Sequence, residues 1–319
     1  MKNKSDKKYL LKGQIKRKDT SKKGIRTVRQ QTALFFIIVS GLLLYGCSNH
    51  VQDLRSTGYA EPLAESQLIE LSAESEYMGR EMPFLLYLPK GYCNKKEYPV
   101  WYGLHGYSSD ETMWIKNDIT KVADQLIGSG EIKPLIMVFP FVKDASFKEI
   151  TADFEDDGKF DERNIDKFIN EELVQYIDSH YCTDLSAKGR SIGGFSMGGM
   201  IALRIAFHHT DRFSMVSGYS AAVTSSDYSD RQLEEWLYPN DNMKDVKNLI
   251  RFDHKKGFDK LKVYLDAGSS NDPFSEGLQS LNDALQIRNI ESEFHLLDGG
   301  HTLRANQFES YLRFFAAKD

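Results

Sequence analysis

The sequence predicts an α/β fold, a doubly wound and mostly parallel sheet with helices on both faces, and three observations carry that expectation. Eight short, nearly continuous apolar runs recur from residue 68 onward, amphipathic stretches separate the later ones, and the 319-residue chain is 41% apolar and 12% aromatic. Short apolar runs bounded by turn residues mark strands buried on both faces, and intervening helices provide the crossovers that parallel neighbours require.

The elements follow in order. Runs 68–71 and 84–88 are joined by a short polar link and suit an antiparallel hairpin at the sheet edge. Run 100–104 reads as the central strand, followed by strands at 135–141, 192–195, 213–218, 263–265 and 294–297. Helices are expected at 111–127, 164–178, 197–208, 276–287 and 302–317, where apolar residues recur at helical spacing. Residues 222–258 break the rhythm, with Trp236, Tyr238 and Pro239 among charged side chains, and read as an insertion over one end of the sheet. No internal repeat interrupts this plan, so residues 66–319 are read as one domain.

Charge divides the chain in two. The formal net charge is −5, yet residues 1–46 hold twelve Lys/Arg against Asp6 and Asp19, a balance of +10 that leaves −15 for the remainder. An acidic body excludes a strongly basic nucleic-acid binder. The basic leader runs into an uncharged apolar stretch at 33–44, the pattern of an export signal. That stretch ends Leu44-Tyr45-Gly46-Cys47, which resembles a bacterial lipobox, so residues 1–46 are expected to be a lipoprotein-type export signal with Cys47 as the lipidated mature N-terminus. An uncleaved anchor remains the alternative, because 30–52 lacks Asp, Glu, Lys and Arg and could span a bilayer at about 20 residues. Both place the body outside the cytoplasm, on the cell membrane, with residues 47–65 as a polar tether.

The chemistry concentrates around Gly194-Phe195-Ser196-Met197-Gly198, a G-x-S-x-G sequence between a strand and a helix. Glycines there let the chain turn sharply enough to expose the serine hydroxyl in a strained elbow. A serine needs a base, and the base an orienting acid. His208 and His209 end the helix that Ser196 opens, about 18 Å away at about 1.5 Å per residue, and His254 and His295 lie in the insertion and within the last strand. His301 follows Gly299-Gly300 at the end of the last strand, the catalytic edge of such a sheet. Asp272 stands on the loop after the penultimate strand and is the expected acid; Asp266, inside that strand, is the rival acid or a support for the site. The Met197 amide supplies one oxyanion donor, and the second is expected from the loop His105-Gly106-Tyr107-Ser108-Ser109, with His105 bracing that loop by side-chain hydrogen bonds.

Leu-His-Gly at 104–106 with Trp114 downstream, Gly-Phe-Ser-Met-Gly-Gly at 194–199, Asp-Ala-Gly-Ser-Ser-Asn-Asp at 266–272 and Gly-Gly-His at 299–301 resemble the "putative esterase" family of α/β hydrolases. That family includes esterase D, feruloyl and acetyl xylan esterases, enterochelin esterases and mycolyltransferases. Tyr87-Leu88-Pro89-Lys90-Gly91-Tyr92 is also similar to the family's entry into its central strand, and the resemblance covers 67–317. It implies Ser196 as nucleophile, Asp272 as acid, His301 as base and the Tyr107 and Met197 amides as oxyanion hole, with no cofactor. The sequence departs from the family at 153–164 and 222–258, where substrates would be selected.

Other signals are weaker. Asp153, Glu155, Asp157, Gly158 and Asp161 approximate a calcium loop, but Asn164 stands where a bidentate Glu is required, so the stretch reads as a solvated acidic loop and no metal is expected. Cys93 and Cys182 precede strands that neighbour each other in the family's sheet, so both belong near the edge opposite the active site; whether they are bonded stays open. Trp114 and Trp236 are candidates to stack on a sugar or aryl ring of the substrate. The expected activity is an exported serine carboxylesterase acting on small-molecule or glycan esters, acetyl or feruloyl groups on cell-wall sugars foremost. A siderophore esterase, an acyltransferase and a catalytically silent binding lipoprotein are the alternatives.

Overall fold

The computed structural model describes residues 59–93, 96–143, 163–223 and 260–317. The expected signal, Cys47, most of the tether, the acidic loop and Trp236 lie outside them.

All eight expected strands form, in one sheet. They are β1 (Gln67–Ser75), β2 (Arg80–Leu88), β3 (Val100–Leu104), β4 (Ile136–Pro140), β5 (Arg190–Phe195), β6 (Met215–Tyr219), β7 (Lys262–Gly268) and β8 (Glu291–Leu297), in the spatial order β1-β2-β4-β3-β5-β6-β7-β8. β1 and β2 pair antiparallel from Gln67 opposite Leu88 to Ser75 opposite Arg80, and β2 lies antiparallel to β4. Every other pairing, from β4·β3 to β7·β8, is parallel. The chain passes from β3 to β4 on one side and returns to β5 on the other. The direction in which successive strands are added therefore reverses between β3 and β5, the switch point outside whose carboxyl ends sheets of this kind bind ligands.

Residue alternation decides which face each side chain serves. Val100, Tyr102 and Leu104 of β3 join one core with Ile136 and Val138 of β4 and Val263, Leu265 and Ala267 of β7. Trp101, Met137, Phe139 and Tyr264 point the other way into a second core. Helices cover both. The described helices are α1 (Met113–Lys116), α2 (Ile119–Ser129), α3 (Arg163–Lys167), α4 (Val174–His180), α5 (Met197–His208), α6 (Ser275–Ile287) and α7 (Phe308–Ala316), and a π-helical segment, Phe168–Leu173, joins α3 to α4. Residues of α5, α6 and the α3–α4 run pack on the first core, and those of α1, α2 and α7 on the second.

Two helices differ from expectation. The helix expected at 111–127 is broken at Asn117-Asp118, where Asp118 adopts a left-handed φ of 66°. The last helix starts at Phe308 rather than near 302, because the preceding residues turn around the buried Arg304 and close with a short 3-10 turn at Ala305–Gln307.

Trp114 is not available to a substrate. It is wholly buried, its ring meets Trp101, Tyr219 and Phe308 at centroid distances of 5.1, 5.7 and 5.6 Å, and its indole N–H donates to Leu104 O at 3.3 Å. An indole of this size, with its one polar atom satisfied, is worth more in a core than at a rim. Cys93 and Cys182 lie at the amino-terminal edge of the sheet, as expected, and no disulfide joins them. Two tyrosines tie their segments instead: Cys93 N–H donates to the Tyr98 hydroxyl, Cys182 N–H donates to the Tyr92 hydroxyl, and Tyr98 N–H donates to Cys182 O.

Replacing Trp114 by Ala is expected to lower the unfolding free energy by about 3–5 kcal/mol. Urea unfolding of the purified variant checks this, and an unchanged midpoint with a raised KM would return Trp114 to the substrate.

Candidate active site

Ser196 occupies the turn between β5 and α5 with φ 55° and ψ −120°, a region that an L-residue adopts only when its surroundings impose it. Here the surroundings are close backbone contacts. A Cβ on Gly194 would come within 2.4 Å of Gly198 C, and one on Gly198 within 2.5 Å of His105 O. The glycines of the motif therefore let β5, α5 and the loop after β3 approach one another, besides letting the chain turn. Ser196 N–H donates to Tyr219 O and Ser196 O accepts from Ala222 N–H, each at 3.0 Å, which fastens the elbow to the end of β6.

The sheet brings the three expected side chains together from three separate loops. Ser196 Oγ lies 2.9 Å from His301 Nε2, and His301 Nδ1 lies 3.2 Å from Asp272 Oδ1. Asp272 accepts three more hydrogen bonds, from Ser220 Oγ at 2.6 Å, Gly268 N–H at 2.9 Å and Phe274 N–H at 3.2 Å. Burial pushes its carboxyl up, but the hydrogen bonds from His301, Ser220, Gly268 and Phe274 outweigh that and hold it well below the usual carboxylate range. An ionised carboxylate can only accept. His301 must then donate from Nδ1, which leaves Nε2 with a lone pair facing the Ser196 hydroxyl. The imidazole is held in plane by rings on two sides: Phe195 stacks on it at 5.0 Å and Phe274 meets it edge-on at 5.1 Å.

Met197 is the first residue of α5, where amide groups have no intrahelical acceptor and the helix dipole is positive. Tyr107 lies three residues beyond β3, on the loop that Gly198 touches through His105 O and Leu104 O. His105 braces that loop as expected: it is fully buried, Nδ1 lies 2.8 Å from Gly106 O, and Nε2 accepts from Val142 N–H at 3.0 Å. Burial lowers its pKa, in keeping with a neutral ring that donates through one nitrogen and accepts through the other.

Asp266 is not part of the relay. Its carboxylate is buried at the end of β7, accepts from the Tyr311 hydroxyl at 2.5 Å and from Arg304 Nη1 at 3.2 Å, and is pushed up to about 6 by burial despite those two partners. Sequence reasoning missed Ser220, Arg304 and Tyr311. Arg304 left the one usable trace, a charge in the stretch between the base and the last apolar helical face.

Among the described residues no group of His, Cys, Asp and Glu could hold a metal ion. Trp236 lies outside the described residues.

Comparison with known proteins places the chain in a family. The family described as "Putative esterase" matches residues 75–313. The chain belongs to this family. A curated relative, named endo-1,4-beta-xylanase/feruloyl esterase, comes from Xylanibacter ruminicola; it is 28% identical over 183 residues, which are 56% of this chain but 24% of that protein's length. Among solved structures, a ferulic acid esterase from Anaeromyces mucronatus in complex with ferulic acid superposes with a TM-score of 0.62 at 20% identity, over 82% of this chain and 93% of the other. An enterobactin esterase from Shigella flexneri matches with a TM-score of 0.55 at 16% identity, over 81% of this chain and 60% of that one. These likenesses show the α/β-hydrolase fold.

The depressed Asp272 sets a pH dependence of stability. Below the ordinary carboxylate pKa of about 3.9 the unfolded chain binds a proton there that the folded chain does not, so this contribution is present above that pH and is lost as pH falls further. Asp272→Asn lacks the titration. The stability gap between wild type and Asp272→Asn is therefore expected to narrow between pH of about 5 and about 2 in urea titrations; a constant gap would mean that Asp272 is not held ionised.

Proposed function

We propose that this member of the family is an exported serine carboxylesterase that removes acyl groups through an acyl-enzyme, with acetyl or feruloyl esters of cell-wall sugars as its substrate class. The observation that carries the reading is the continuous relay from Ser196 Oγ through His301 to Asp272, at 2.9 and 3.2 Å. In the first half-reaction Ser196 Oγ attacks the ester carbonyl carbon while His301 Nε2 takes its proton, and the Asp272 carboxylate stabilises the imidazolium. The carbonyl oxygen gathers charge opposite the Met197 and Tyr107 amides. The C–O bond then breaks, and His301 returns the proton to the departing alcohol. Water repeats the sequence on the acyl-enzyme and releases the acid, so each step uses groups of this chain and water.

The substrate class is supported by the feruloyl esterase activity for which the Xylanibacter ruminicola relative is named and by the ferulic acid bound in the Anaeromyces mucronatus structure. Export through the basic leader and lipidation of Cys47 would place the enzyme where such polymers occur.

Two measurements test the proposal. Methyl ferulate, acetylated xylan and p-nitrophenyl acetate offered to the full chain should be hydrolysed in a Ser196-dependent way, with Ser196→Ala slower by about 10³-fold or more, and a catecholate siderophore offered beside them should be spared. Equal rates for the two proteins would sink the mechanism, and activity on the siderophore alone would replace the substrate class. Labelled fatty acid supplied to bacteria expressing the chain should enter the wild type and not Cys47→Ser; an unlabelled wild type would leave the anchor reading.

A further inference from the structure

Arg304 is almost wholly buried behind the catalytic loops, yet it carries a charge into a region that already holds two carboxylates. Its hydrogen bonds are directed to chosen acceptors. Nη1 donates to Ser220 Oγ at 3.0 Å, to Asp266 Oδ1 at 3.2 Å and to Thr302 O at 3.3 Å, and Nη2 donates to Gly300 O at 2.8 Å. Gly300 and Thr302 are the two neighbours of His301 in the chain. One guanidinium thus grips the backbone on both sides of the residue whose ring must point at Ser196.

The same group reaches the acid. Ser220 donates its only hydroxyl hydrogen to Asp272 Oδ2 at 2.6 Å, so the same oxygen must accept from Arg304, and the two bonds run in one direction from guanidinium to carboxylate. Arg304 Nη2 stands 3.9 Å from Asp272 Oδ2, an ion pair without a direct hydrogen bond. Ser220 has a left-handed φ of 43°, so its hydroxyl is aimed by a backbone conformation that a serine does not adopt unaided. Asp266 and Tyr311 complete the support from behind: the Tyr311 hydroxyl donates to Asp266 Oδ2, and Asp266 Oδ1 faces the guanidinium.

We propose that Arg304 is a positioning residue for the Ser196–His301–Asp272 relay, fixing at once the loop that carries His301 and, through Ser220, the carboxylate that orients it. The inference deepens the esterase reading and rests on it for its kinetic readout. Its geometric content stands apart from turnover, because the quantity held constant is the Asp272–His301 hydrogen bond. A planar fork with several donors can meet four acceptors at fixed angles, which an ammonium cannot. This explains why the position holds an arginine and predicts that lysine will not replace it.

The test uses Arg304→Ala, Arg304→Lys and Ser220→Ala in the full chain, with thermal unfolding, kcat and KM on p-nitrophenyl acetate, and the far-downfield proton resonance of His301 Nδ1. Arg304→Ala should lose about 10²-fold in kcat, the scale of a misplaced catalytic group, with KM within about threefold. Millimolar guanidinium chloride should restore part of that loss, Arg304→Lys should recover little of it, and the downfield resonance should broaden away. Ser220→Ala cuts only the link to Asp272 and should show the same signs more weakly. If Arg304→Ala does not fold, Ser220→Ala decides by the same readouts. A folded Arg304→Ala with wild-type kcat and a sharp wild-type resonance would overturn the inference. A wild type without Ser196-dependent turnover, but with a resonance that vanishes on loss of Arg304, would remove the esterase reading and leave the inference standing; a wild type with neither would remove both.

Discussion

The backbone of Ser196 is the constraint on which the rest depends. A residue at φ 55° and ψ −120° costs of order 1–3 kcal/mol and persists only where its surroundings over-determine it. Here they do so by proximity. Gly194 and Gly198 leave no room for side chains between β5, α5 and the loop after β3, Gly199 leaves none against Ala221, and Ser196 is hydrogen-bonded through its amide to the end of β6 and through its carbonyl to Ala222 just beyond it. Almost every residue of α5 is buried, so its burial offsets the local strain. The same close approach brings the start of α5 against the loop that carries Tyr107. Strained elbow, buried helix and candidate oxyanion loop are one packing arrangement.

A second constraint follows from placing charge in that arrangement. Asp272 is a side chain without exposure, and a carboxylate removed from water must find its solvation in the protein. It receives four donors, which fills the capacity of its two oxygens. Because the acid is so fully engaged, it fixes the tautomer of His301 and hence the direction of the Ser196 hydrogen. The order of the relay is here a by-product of satisfying a buried charge.

Much of this was legible in the sequence because it depends on local pattern. Strands buried on both faces announce themselves as short apolar runs, and all eight formed; G-x-S-x-G, Gly-Gly-His and the Asp after the penultimate strand marked three loop ends that a parallel sheet must bring to one edge. What stayed hidden depends on contacts distant in sequence or on backbone conformation. Nothing near Asp118 predicts its left-handed turn, so a broken helix read as continuous. Trp114 reads as a substrate platform because an indole can stack on a sugar or aryl ring, whereas three aromatic rings and a carbonyl enclose it. Ser220 carries no sequence signal, since its role arises from a φ of 43° and a partner 52 residues away.

The two aspartates at the end of β7 show how one small region assigns opposite tasks to the same chemical group. Both side chains are without exposure and both lie near Arg304, but Asp266 is a wholly buried residue inside the strand while Asp272 stands on a part-buried loop. The count of donors widens that difference. Asp272 has four, two of them backbone amides that cannot rotate away, and its carboxyl falls below the usual range. Asp266 has two side-chain donors, burial prevails, and its carboxyl rises to about 6. The better-solvated group stays charged throughout the working range and can face an imidazolium as it forms. The other is anionic at neutral pH but less firmly so, which suits a group that steadies an arginine instead of the reacting histidine. Had the amides of Gly268 and Phe274 pointed at Asp266 instead, the firmly ionised carboxylate would have been the one inside the strand and not the one hydrogen-bonded to His301. The loop that bends back from β7 to present Asp272 to those amides is therefore what selects the acid.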